Sequence, residues 1–179
     1  MAYKSKKIQT ITQCSLFGAV VCLLSPWCLM VGPVPITLSL FAVVLAGSVL
    51  PVRKALTSIA IYVLMGCIGL PVFAGFQGGA GVLLGPGGGF IWSYPVVVLL
   101  ISSVNGKGAV SIIIAAIVSL LICYGAGTAQ YMAVTGTKSV SAAALVCVVP
   151  FVPFDIIKTF GAVFVGSEVR RKLKKQNLL

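Results

Sequence analysis

Long apolar runs, separated by short polar or glycine-rich breaks, organise this chain of 179 residues. A helix that crosses a bilayer needs about 20 largely apolar residues. On that scale the runs predict spans at residues 8–30, ending near Gly32-Pro33, then at 36–51, 55–73, 90–104 and 109–131. The run at 36–51 is short, which implies little tilt or local thinning of the bilayer. Arg53 and Lys54 mark one break, and Asn105-Gly106-Lys107-Gly108 is a turn signal at another. After a polar stretch at 135–141, residues 142–149 are apolar again, but Pro150 and Pro153 cannot continue an α-helix. Residues 142–149 therefore read as a half-helix or capping segment. A sixth span runs from about Phe154 to Val169, with Pro153 suited to its first turn. The prediction is an all-α membrane protein forming a single domain over residues 1–179, with basic tails at about 1–7 and 170–179.

Composition agrees with a bilayer: 59% of residues are hydrophobic, 8% are charged, and the mean hydropathy is +1.15. A net charge of +11 would suggest nucleic acid in a soluble chain. Here the cations sit at the two ends and in the breaks, which is the positive-inside pattern of a membrane protein and argues against a nucleic-acid partner. With six spans, the N-terminus, Arg53-Lys54, Lys107 and the C-terminal cluster fall on one side, and of the loop lysines only Lys138 falls on the other. Both termini are then cytoplasmic in a multi-pass protein of the cell membrane. Residues 32–37, residues 74–89 and the start of the sixth helix meet at the outer face. Arg170, Arg171, Lys172, Lys174 and Lys175 are also placed to touch anionic lipid. No cleavable signal is expected, because the apolar run after Lys4, Lys6 and Lys7 is too long for one. The six cysteines are scattered without a CxxC and read as apolar packers. The chain has no His, which argues against zinc or haem.

Only two acidic residues occur, and Asp155 lies in an apolar run three residues before Lys158. Placing a charge in a bilayer costs about 2.5–3.5 kcal/mol on insertion scales. Spacing of three puts both side chains on one helical face. The pair is either part of a polar-ligand site or a structural ion pair that locks two helices. A carboxylate at the start of the sixth helix also meets the positive end of the helix dipole.

Residues 69–92 hold much of the chain's glycine. No Gly-Lys-Ser/Thr follows, so this is not a nucleotide-binding P-loop, and no dinucleotide fingerprint is present. Such glycines either let a backbone approach a ligand with free N–H donors, or pack helices closely. Gln77, with Phe73, Phe76, Trp92 and Tyr94 nearby, favours a binding loop. Val34-Pro35-Ile36-Thr37 forms a second outer element that either caps the same cavity or is a rigid turn. Ser15 and Ala19, with Gly18 between them, are small residues at helix-packing spacing. A Ser-His-Asp triad is excluded and no catalytic set is visible; residue counts leave a Ser/Lys dyad open, but the poverty of titratable groups makes an enzyme the least favoured reading.

The motifs Val34-Pro35-Ile36-Thr37-Leu38, Gly69-Leu70-Pro71-Val72-Phe73-Ala74-Gly75, Gly85-Pro86 with Gly88-Gly89, and Pro153-Phe154-Asp155-Ile156-Ile157-Lys158, in this order, resemble the BioY family. These are the biotin-binding S-components of energy-coupling-factor (ECF) transporters. The resemblance runs from the first helix to about residue 160. It implies six helices, an outer-face cavity for biotin, and as partners a transmembrane coupling protein and two cytoplasmic ATPases. It also implies docking to the coupling protein through the first helix, with Ser15 and Ala19 where alanines are usual. Three positions depart from the pattern: Ser39 stands where Gln is common, Gly87 where Thr is common, and Phe154 where Gly is usual.

The resemblance gives the candidate residues their roles. Asp155 would accept the ureido N–H of biotin and Lys158 would donate to its carbonyl, or Lys158 would instead hold the tail carboxylate. Phe73, Phe76, Trp92 and Tyr94 would enclose the apolar ring. Gln77, the Tyr94 hydroxyl and backbone N–H groups of the loop, including Gly75, Gly78 and Gly79, would take the tail, with Thr37 on the facing element. A proton-coupled carrier of another small organic anion, using Asp155 as relay, is the alternative, and a non-transporting interaction protein is a third reading.

Overall fold

The computed structural model describes residues 2–30 and 34–176, and Gly32-Pro33 lies outside the described residues. The first helix ends at Leu24, short of the predicted 8–30 span, because the chain turns at Ser25-Pro26 and enters a strand at Cys28. Eight α-helices account for most of the chain: α1 (Ala2–Leu24), α2 (Ser39–Val49), α3 (Val52–Cys67), α4 (Ala80–Leu84), α5 (Gly88–Ser103), α6 (Ala109–Thr135), α7 (Val140–Cys147) and α8 (Val152–Lys175). Two short strands, β1 (Cys28–Leu29) and β2 (Ile36–Thr37), pair antiparallel after α1, with Cys28 opposite Thr37. Among the described residues, this ribbon and an isolated β-bridge between Phe73 and Gln77 depart from an all-α reading.

Among the described residues, Lys7–Leu24 and Val110–Thr135 are long and apolar enough to cross a membrane alone. Val140–Cys147 and Val152–Lys175 together make a third such stretch, bent by 51° at the break between them. The bend has a covalent cause. Pro150 has no N–H to donate, and Pro153 stands in the first turn of α8, where a missing N–H costs nothing.

Helix α2 is not a lipid-facing span. At 11 residues it is about 16 Å long, roughly half the bilayer core, and nearly all its side chains are buried. It packs between α5 and α8, while α1 packs on α3 and α5 on α6. Its carbonyl end is capped from outside: Asn105 Nδ2 donates to Gly47 O at 2.7 Å and to Leu50 O at 3.1 Å, and Arg170 Nη1 donates to Val49 O at 2.7 Å.

In lipid there is no hydrophobic drive between helices, so close packing must hold them. The contact of α5 with α6 shows how. A side chain on Gly89 would run into the Ala126 carbonyl, and one on Gly127 into the Phe90 ring. On α1, Gly18 faces α3, where an added Cβ would lie 3.1 Å from Ile61 Cγ2. Ser15 and Ala19 are exposed, turned away from the bundle.

Candidate functional site

Three local devices converge at the end of the bundle where α8 begins. The β1–β2 ribbon brings Thr37 and Ser39 inward, and Leu38 N–H donates to Trp27 O at 3.1 Å to close it. The α7–α8 break delivers Phe151 and Asp155. The glycine-rich segment folds over them as a short 3-10 turn (Ala74–Phe76) followed by α4. Between them lies a cavity of about 410 Å³, within the size range of small-ligand pockets.

Its deepest polar groups form two linked clusters. Asp155 is 5% exposed. Its Oδ1 lies 2.6 Å from Lys158 Nζ, and its Oδ2 accepts from the Tyr124 hydroxyl at 3.1 Å. Lys158 Nζ also donates to Thr37 O at 2.9 Å, which ties α8 to the ribbon. The Thr37 and Ser39 hydroxyls bond to each other, and Ser39 Oγ lies 2.7 Å from the Tyr94 hydroxyl. A carboxylate offers about four lone-pair sites. Two are engaged here, so Asp155 retains acceptor capacity on the cavity wall.

The apolar wall comes from Leu40, Tyr62, Val82, Phe90, Ile91 and Phe151. Phe90 and Phe151 stack with centroids 5.8 Å apart and planes at 17°. Gln77, Met30 and Gly81 line the exposed mouth.

Of the residues expected at the site, Asp155, Tyr94, Thr37 and Gln77 line this cavity. Lys158 stands beside it, held between Asp155 and Thr37. Of the expected aromatic enclosure only Tyr94 reaches the cavity. Phe73 is fully buried against Gly66 and Tyr62 instead. Phe76 is exposed, edge-on to Trp27 at 5.6 Å. Trp92 turns outward, 52% exposed, with its indole N–H on Leu83 O at 3.1 Å. Two of the expected glycine donors are already engaged. Gly75 N–H donates to Pro26 O at 3.0 Å and Gly79 N–H to Gly66 O at 2.7 Å. Gly78 packs so tightly on residues 69–70 that a side chain would meet their backbone. Gly75 and Gly79 have φ of 68° and 96°, left-handed values that favour glycine. These three glycines thus shape the loop rather than line the cavity.

Sequence reasoning missed Tyr124, Phe90, Phe151 and Gln130, and marked Ser39 only as a departure from the family pattern. Gln130 Nε2 donates to Leu83 O at 2.7 Å and Gly85 O at 2.8 Å, which pins the end of α4 to α6. Tyr124 and Gln130 lie in an unbroken apolar helix, and nothing local marks them as supports of the site. Ser39 and Gly87, two of the departures from the expected pattern, both line the cavity, whereas Phe154 is exposed.

Comparison with known proteins agrees with this architecture. A family model described as the BioY family matches residues 1–175. A probable biotin transporter BioY from Pyrococcus horikoshii is 34% identical over 164 residues, covering 92% of this chain and 98% of that protein. The biotin transporter BioY of Thermotoga maritima is 34% identical over 142 residues, covering 78% of this chain and 83% of that one. A crystal structure of the S-component for biotin from an ECF-type ABC transporter superposes with a TM-score of 0.84 over 93% of each chain. At 23% identity that likeness speaks for the fold alone.

Proposed function

Since the chain belongs to the BioY family of membrane transport proteins, we propose that it is the biotin-binding S-component of an ECF-type transporter. It captures biotin outside the cell, in the cytoplasmic membrane, for uptake driven by partner ATPases. It is a transporter subunit and not an enzyme. The observation that carries the ligand reading is Asp155, a buried carboxylate held by Lys158 and Tyr124 on the wall of an otherwise largely apolar cavity.

Biotin has a polar ureido ring, an apolar thioether ring and a carboxylate tail. Burial along the cavity favours one orientation. The fixed polar groups Asp155, Ser39 and Tyr94 are buried, and the exposed Gln77 stands at the mouth. The ureido ring enters first and donates an N–H to Asp155, with the Ser39 or Tyr94 hydroxyl turned to its carbonyl. A charged acceptor makes that bond about twice as strong as a neutral one. The bicycle rests on Tyr62, Phe90 and Phe151, and the tail carboxylate leaves past Gln77. Lys158 acts from behind, holding the Asp155 carboxylate in place through its own bond to Thr37 O.

Transport in this reading uses six membrane-embedded segments with both termini cytoplasmic and the cavity at the outer face. The exposed Ser15–Ala19 face of α1 docks on a transmembrane coupling protein, which is joined by two ATPases. Proteoliposomes test this. Biotin uptake is expected only when coupling subunits and ATP are present. Accumulation by the isolated protein under a proton gradient would favour a secondary carrier and overturn the S-component reading.

A further inference from the structure

A second cavity, of about 300 Å³, lies where α2 and α5 end, α6 begins and α8 draws to its close. Asp155 and Arg170 are 15 residues apart on α8, so this cavity is about 22 Å from the first along the helix axis. Every charged residue in its lining is cationic, namely Lys107, Arg170, Arg171 and Lys174, and Ser48, Asn105 and Ser167 add neutral polar groups.

The charge balance there is unusual. The chain has 13 Lys and Arg but only two acidic side chains. Asp155 is paired with Lys158 at the far end. Glu168 is paired with Arg171 at 2.8 Å. No side-chain carboxylate remains for Lys107, Arg170 or Lys174, so whatever neutralises them comes from outside these side chains.

Two features make this more than a solvated basic tail. Arg170 caps α2 with only one of its five donors, and its Nε is buried with no hydrogen-bond partner among the described residues. Gly106 and Lys107, just ahead of the 27-residue helix α6, and Ile112 in its first turn also line the cavity, so the start of that helix lies beside it. A helix N-terminus carries about half a positive charge and unpaired N–H groups.

We propose that this cavity binds a phosphate group, held by Arg170, Lys107, Lys174 and the start of α6. A guanidinium fork beside two ammonium groups matches a tetrahedral anion. An anionic phospholipid headgroup and free phosphate share this chemistry. The inference is independent of the ligand in the first cavity.

The test uses delipidated full-length protein in detergent. Binding of phosphatidylglycerol and phosphatidylcholine is measured by native mass spectrometry, and stabilisation by inorganic phosphate is measured by thermal melting. Arg170→Gln removes the fork but also the cap on Val49 O. The double variant Lys107→Gln/Lys174→Gln leaves that cap intact and carries the decision. Phosphatidylglycerol binding at least tenfold tighter than phosphatidylcholine, lost in the double variant, supports a lipid headgroup. A melting shift with inorganic phosphate in the wild type alone, without lipid preference, supports a soluble phosphate. If neither phosphatidylglycerol nor phosphate distinguishes the wild type from the folded double variant, the proposal is wrong.

Discussion

The Tyr124 hydroxyl, near the middle of α6, donates to Asp155 Oδ2, in the first turn of α8, at 3.1 Å across 31 residues of chain. Together with Lys158 on Oδ1, it fixes the plane of a carboxylate that would otherwise rotate. Fixing that plane is the tyrosine's expected contribution to binding. Tyr124→Phe keeps the ring and removes only the hydroxyl. It should weaken biotin binding roughly tenfold and also lower the melting temperature, because a hydrogen bond to a buried charged group, worth about 1.5–3 kcal/mol, is lost from the unliganded protein. Equilibrium binding of radiolabelled biotin measures this, and unchanged affinity would show that Lys158 alone sets the geometry.

The Asp155–Lys158 pair should behave as a buried ion pair in stability. Removing one partner from such a pair costs about 3–5 kcal/mol because a charge is left unpaired, while replacing both is far milder. Lys158→Met should therefore melt well below wild type, and Asp155→Asn/Lys158→Met should recover much of the loss without recovering biotin binding. Thermal melts in detergent decide it. Equal destabilisation in the single and double variants would mean the two charges are not coupled.

Two neighbouring glycines should respond in opposite ways. A Cβ on Gly89 would strike the Ala126 carbonyl, part of a helix backbone that cannot yield. Gly89→Ala should cost roughly 1–3 kcal/mol through forced separation of α5 and α6. Gly87 has open space around it and φ of −90°, which any residue adopts. Gly87→Thr should fold with unchanged stability, and because Gly87 lines the cavity it should alter biotin affinity. Equal melting temperatures for the two variants would contradict the packing account.

Docking should separate from ligand binding. Ser15 and Ala19 are exposed on α1, away from the cavity. Ala19→Trp should leave biotin affinity unchanged and abolish co-purification with the coupling subunit. A variant that still assembles would move the docking face elsewhere.

Much of the fold was legible because apolar length is a strong signal. The apolar runs at 90–104 and 109–131 became α5 and α6, the run at 8–30 became α1 only as far as Leu24, and Pro150 with Pro153 announced the break before α8. The nature of α2 was not legible, because a core helix and a lipid-facing helix are equally apolar and only length separates them. Within the site, the glycine-rich loop and the Asp155–Lys158 spacing were legible as candidates. Side-chain direction was not. Trp92 and Tyr94, both read as lining, lie about 200° apart around α5, so they could not share one face. Helical geometry alone could have decided between them. Tyr124 and Gln130 act across the tertiary fold, and no local pattern marks such residues.

The central claim is that this cavity binds biotin with its ureido ring on Asp155 and its tail at Gln77. Isothermal titration of the purified protein with biotin and with biotin amide tests it most directly, in wild type, Asp155→Asn and Gln77→Ala. The account predicts saturable binding of biotin to wild type. Asp155→Asn should weaken both ligands by a similar factor, and Gln77→Ala should weaken biotin but not the amide. No binding by folded wild-type protein, or full affinity in Asp155→Asn, would contradict it.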